Sequence, residues 1–119
     1  MKINFINAPA LALAAFALVG CQTAPPSLYQ WGLYEPQLTG HFKGESPVQQ
    51  IAVMEKHLQT VSAQGKQVPP GFHAHLGMLY SLAGKSDQVA AHFEEEKRLF
   101  PESGPYMNRL LETVAKGAQ

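Results

Sequence analysis

Five histidines, one cysteine and a run of three glutamates are the side chains of this 119-residue chain that could do chemistry. Metal binding is the first chemistry to test. His73 and His75 stand two apart, which places them about 200° from each other on an α-helix, so a regular helix would aim their rings at different surroundings. His41, His57 and His92 are isolated, and no HExxH, CxxC or EF-hand pattern occurs. The sequence therefore predicts no metal site, with His73 packed inside a helix pair and the other four histidines solvated. Glu94-Glu95-Glu96 precedes Lys97-Arg98, a pattern that reads as a solvated helix face with short-range ion pairs, because a catalytic carboxylate needs a cleft. No serine stands in a G-x-S-x-G context and no glycine-rich phosphate loop follows a strand. Neither enzymatic activity nor a cofactor is expected. Nine basic residues balance nine acidic ones, which removes the electrostatic case for nucleic acid or for an anionic membrane surface.

What must position these residues is helical. From Phe72, apolar residues recur every three or four positions through Leu76, Leu79 or Tyr80, and Ala83, and again through Val89, Ala90, Phe93, Lys97 and Phe100. Pro69 and Pro70 suit a first helical turn, Gly84 an αL stop, Ser86 with Asp87 an N-cap for the second helix, and Pro101 its end. Gly77 would cost about 1 kcal/mol against Ala in mid-helix, which predicts a close neighbour there, and Phe93 is the expected one. Another helix should start at Ser46-Pro47-Val48-Gln49, with a capping serine, Pro at N1 and Gln at N3. Its apolar face is Val48, Ile51, Met54 or Ala52, Leu58 and Val61, up to Gly65. A last helix begins near Pro105, with Tyr106, Met107, Leu110, Leu111 and Val114 apolar, and frays at Gly117. The fold class is all-α.

The spacing of Leu76-Gly77, Tyr80, Val89, Phe93 and Pro101 over residues 70–103 resembles a tetratricopeptide repeat, with His73 where that pattern has Trp and Val89 where it has Ala. A single repeat leaves faces uncovered, so the flanking helices are expected to act as caps. The result is a small antiparallel helical array over residues 47–116 with one tetratricopeptide-like helix–turn–helix. By that resemblance the ligand groove is lined by Ala74, Met78, Ser81 and Leu82. Ala74, Met78 and Ser81 lie at helical spacing away from the Gly77–Tyr80 stripe, while Leu82 fits the face less well.

The N-terminal segment organises differently. Met1-Lys2 is followed by an apolar run from Ala8 to Val19, too short for the roughly 20 residues that span a bilayer, and residues 1–20 read as a signal peptide. Leu18-Val19-Gly20-Cys21 resembles the lipobox of bacterial lipoproteins, which implies cleavage before Cys21 and acylation of its thiol, a membrane anchor that is in effect permanent. Cys21 is the single cysteine. By the same resemblance, Gln22 in place of an Asp implies the outer membrane. Residues 21–28 then form a lipidated cysteine and tether. Residues 29–46 form an aromatic arm and a loop bracketed by Gly40, Gly44 and Pro47. The arm, with Tyr29, Trp31 and Tyr34, is open to three readings: a packed arm or short helix that covers an end of the helical domain, an interfacial anchor, or a partner patch.

Trp31-Gly32-x-Tyr34, the stretch Pro69 to Tyr80, and Phe100-Pro101-Glu102-Ser103 with Met107 together resemble a family of small proteobacterial lipoproteins carrying a domain of unknown function. The resemblance implies an outer-membrane location and a shared envelope assembly with a lipoprotein similar to the curli secretion channel. The expected function is a lipid-anchored periplasmic adaptor that holds another envelope protein. A structural homodimer and a regulator of cell-wall enzymes are the alternatives.

Overall fold

A computed structural model describes residues 27–117, and Cys21 with the signal segment lies outside the described residues. Five α-helices follow one another: α1 (Tyr34–Phe42), α2 (Pro47–Ala63), α3 (Phe72–Leu82), α4 (Ser86–Leu99) and α5 (Gly104–Gly117), with a 3-10 turn at Pro101–Ser103 between α4 and α5. Among the described residues there is no strand, and the helices pack into one all-α array. None of these helices is long and apolar enough to cross a membrane.

The α3–α4 pair is the centre of the array. A link of three residues, Ala83 to Lys85, forces the two helices antiparallel, and Gly84 at φ 72° supplies the left-handed turn that allows so short a link. Leu76, Leu79 and Tyr80 from α3 meet Val89 and Phe93 from α4, all buried. Gly77 is where the helices come closest: a Cβ built there would stand 2.6 Å from Phe93 Cε1 and 2.8 Å from its Cδ1. The mid-helix glycine is thus a packing requirement, and its expected neighbour is the observed one.

On one side α2 packs against α3 with Ile51, Met54 and Val61 buried. Val48, expected on this stripe, is exposed, because the buried face starts at Gln50, about 200° round the helix from it. Gln50 is buried and its Nε2 donates to the Gln37 carbonyl at 3.3 Å, which ties α2 to α1. On the other side α5 lies along α4, with Met107 buried and Leu110, Leu111 and Val114 packed around it.

Several helix starts differ from expectation. Residues 34–42, read as part of an arm and loop, are helical, and Gly40 is inside that helix. A Cβ at Gly40 would meet the Glu45 carboxylate and would stand 2.9 Å from Gln50 Nε2. Gly40 is there to admit a neighbour, and sequence alone does not separate that role from a turn. Pro69 and Pro70 precede α3, which begins after Gly71 at φ 88°. Ser86 is the first residue of α4 and Lys85 holds the N-cap position. Ser46 does occupy the cap of α2, with Pro47 at the first position, but its side chain makes no capping hydrogen bond.

Candidate functional site

The helix spacing builds a groove on the face of α3 turned away from α2. Ala74, Met78 and Ser81 follow one another at four and three residues, so their side chains share one face. They form one wall of a groove of about 390 Å³. Tyr106, Leu110, Thr113 and Val114 of α5 form the other wall by the same spacing, with Tyr34, Gly71, His75 and Phe93 completing the lining. Ala74 and Met78 are half-buried and Ser81 is exposed. Leu82, the fourth residue expected on this face, is 59% exposed and lies outside the lining. One residue beyond Ser81 is a rotation of about 100°, enough to carry its side chain off the wall.

The groove carries no formal charge. None of its lining residues is Asp, Glu, Lys or Arg. Burial holds the His75 pKa down at about 4, with a smaller contribution from His41, so its ring is neutral at pH 7. Burial, reinforced by the Glu96 charge, pushes the Tyr34 hydroxyl up to about 12. His75 is 5% exposed, and its Nε2 has no hydrogen-bond partner among the described residues. Such a lining is complementary to apolar, uncharged material.

The histidines are where sequence reading fell short. His73 is buried as expected, but His75 is buried too, and His41, His57 and His92 are half-buried against partners instead of free in solvent. His73 Nδ1 lies 3.0 Å from His92 Nδ1, and His92 Nε2 lies 3.4 Å from Glu55 Oε1. Tyr80 donates its hydroxyl to the same Glu55 oxygen at 3.0 Å. The carboxylate accepts, so neutral His92 carries its proton on Nε2, and its Nδ1 accepts from Nδ1–H of His73. The Tyr80, His92 and His73 rings stack in sequence at 5.3 Å between centroids. On the opposite side of α3, His75 sets its ring against His41 at 5.4 Å and against Tyr34 at 6.0 Å. His57 packs on Phe72, and its Nε2 faces the Gln30 carbonyl at 3.4 Å. Among the described residues no three ligating side chains gather into a metal site.

This packing makes stability depend on pH. Burial, assisted by His92, lowers the His73 pKa to about 4, and His75 is lowered to the same value. Both values lie below the ordinary 6.5, so the unfolded chain takes up more protons as pH falls. Their stabilisation is complete above about pH 6.5 and is lost between 6.5 and 4. Chemical denaturation should show stability falling by about 2 kcal/mol per histidine from pH 7 to pH 5. His75→Phe should remove roughly half of that dependence. Equal midpoints at the two pH values would contradict the neutral, buried state of both rings.

Residues 28–110 match a protein family described as a domain of unknown function, DUF4810. The chain belongs to that family. No curated protein and no solved structure matches it. The matched span of the DUF4810 domain runs from the arm, through all of α1 to α4, to the middle of α5. The arm is therefore part of the domain.

One further residue organises the DUF4810 domain. Glu96, expected on a solvated face, is 1% exposed. Its Oε1 accepts from the Gly71 backbone N–H at 2.7 Å and its Oε2 from the Ala74 N–H at 3.3 Å, while Ser103 Oγ approaches Oε1 at 3.5 Å. Gly71, the N-cap of α3, has no side chain with which to satisfy the free N–H groups of the first turn. The Glu96 carboxylate does so from the next helix, where the helix dipole also favours a negative charge. The rest of the run behaves as expected, with Lys97 pairing Glu94 at 2.9 Å and Arg98 pairing Glu95 at 2.6 Å.

Proposed function

We infer that this chain is a lipid-anchored adaptor of the bacterial envelope. In this reading acyl chains on Cys21 hold it at the periplasmic face of the outer membrane, and the groove between α3 and α5 receives an apolar segment of a second envelope protein. The observation that carries the reading is the groove, open, uncharged and lined by Ala74, Met78 and Ser81 opposite Tyr106 and Leu110. An amphipathic helix laid into an apolar groove is a common way for small helical domains to hold partners, and a flexible Met on the wall suits such a contact. The Gly77–Phe93 contact inside an antiparallel pair, with α2 and α5 as caps, fits a tetratricopeptide-like unit, in which the first helix of the pair faces the ligand. The family resemblance implies a channel-forming lipoprotein similar to the curli secretion channel as the partner to look for first.

Met78→Glu combined with Ser81→Arg tests the groove. The pair leaves the net charge at zero and places two long charged side chains where an apolar partner would sit. Taking the two charges out of water under an apolar partner, even paired with each other, should weaken the complex by more than about tenfold, so the partner no longer co-purifies from membranes. The helical circular-dichroism signal and the melting temperature should stay near those of the original chain, because neither site belongs to the α3–α4 core. A folded double variant that retains every partner would show that the groove is not the binding face.

A further inference from the structure

The arm that leads into the helices has two faces. Its backbone is fastened to the domain, with the Gln30 N–H donating to the Gln67 carbonyl at 2.9 Å and the Gln30 carbonyl facing His57 Nε2 at 3.4 Å. Tyr29 sets its ring edge-on to Phe100 at 5.7 Å, and Tyr34 is buried. Just before and between these inward anchors large apolar side chains face solvent: Leu28 is 82% exposed, Trp31 42% and Leu33 48%. A chain free to collapse would cover them. Here the fastening holds them outward.

We propose that Leu28, Trp31 and Leu33 seat in the headgroup region of a lipid bilayer and so fix the height and orientation of the groove above the membrane; this rests on the anchor reading of Cys21. Leu28 is seven residues after Cys21, a distance of at most about 25 Å of extended chain, so the patch never moves far from the surface that carries the acyl chains. Attachment through a short tether turns seating into an intramolecular step, for which three side chains suffice even though they would not bind a membrane alone. Tryptophan, an apolar ring with one N–H, favours headgroup depth. Not one charged residue lies between Cys21 and Glu35, so no ion has to leave water as the patch enters. A protein partner fits less well, because a specific interface needs about 1,000 Å² or more and three side chains supply a fraction of that. The seating reaches the groove directly: Trp31 stacks on Tyr34 at 6.3 Å and 26°, and Tyr34 lines the groove. With net charge zero, it should also be insensitive to salt and to the proportion of anionic lipid.

Trp31 is the single tryptophan, so its fluorescence reports the patch alone. The full chain, extracted from membranes and reconstituted into phosphatidylethanolamine–phosphatidylglycerol vesicles, would be measured with lipids brominated near the top of their acyl chains. The expected result is a blue-shifted emission, mostly quenched by the brominated lipid and unchanged by added salt. Leu28→Ser with Leu33→Ser should lose most of that quenching while the chain still floats with the vesicles. Unquenched Trp31 emission from vesicle-bound protein, with an acylated Cys21 peptide found by mass spectrometry, would overturn the seating and leave the anchor standing. A Cys21 peptide without acyl groups would overturn the anchor, and the seating with it. Emission that follows protein density instead of quencher content would assign the patch to a second copy of the chain and overturn the proposal.

Discussion

Replacing Phe93 by Ala is expected to cost about 3–5 kcal/mol, a large part of the 5–15 kcal/mol that holds a small domain folded. Phe93 is 4% exposed, and its ring edge occupies the space over Gly77. Truncation would leave a cavity between α3 and α4 that neither helix can close, since the three-residue link fixes their separation. The reverse perturbation should also destabilise. Gly77→Leu pushes a branched side chain into a gap that does not admit a Cβ, at about 1–3 kcal/mol, although it removes a mid-helix glycine. Because the two residues share one volume, their effects should not add. Gly77→Ala combined with Phe93→Leu should be more stable than the sum of the single changes, with a coupling above about 0.5 kcal/mol in thermal or urea unfolding. Strict additivity, or melting within error of the original chain, would separate the residues and remove the contact from the core.

That contact was legible because a glycine in mid-helix is costly without a reason, and the apolar stripe opposite offered one candidate at the right distance along the chain. Both ends of α2 and the C-terminal end of α3 were legible for similar local reasons, through Pro47, Gly65 and Gly84. The start of α3 was not. Its cap lies 25 residues away in sequence, and local signals such as Pro69 and Pro70 pointed two or three residues too early. A short helix in the arm is among the readings the sequence allows, but its run through residue 40 is not legible, because Gly40 has the same letter whether it bends a loop or makes room for Gln50.

The groove shows the same division. The tetratricopeptide resemblance singles out Ala74, Met78 and Ser81, and their helical spacing puts them on one face, since a helical period is readable in any sequence. The opposite wall depended on how α5 returns after the 3-10 turn, which no local pattern states. The histidines are hard to read because all five pack against partners on other helices, and a lone His in a polar context carries no mark of burial. The burial of Glu96 does leave a mark in the sequence. Val89, Phe93, Glu96 and Phe100 are spaced by four, three and four, so the buried stripe of α4 passes through Glu96, where Lys97 had been placed.

Glu96→Ala is the second change expected to have a large effect, about 2–4 kcal/mol, for a residue that an exposed-run reading would treat as neutral. Removing the carboxylate leaves the Gly71 and Ala74 N–H groups without acceptors at a buried helix start. Each such loss costs about 1–3 kcal/mol, the upper part of the range applying to bonds with a charged partner. It also frees the 3-10 turn from its contact through Ser103. Glu96→Gln separates the contributions. The amide has the same shape and keeps one acceptor for the shorter bond from Gly71, but it loses the charge and turns an NH2 group toward the Ala74 N–H, so about 1–2 kcal/mol is expected. Hydrogen exchange gives the spatial readout: in Glu96→Gln the first-turn amides of α3 should lose protection before those of α4, because the cap belongs to α3 alone. Glu94→Ala and Glu95→Ala, which break only exposed ion pairs, should each change stability by less than about 1 kcal/mol. If Glu96→Ala fell in that same range, the carboxylate would not be the cap of α3, and the groove wall that begins at Ala74 would have to be held in place by packing alone.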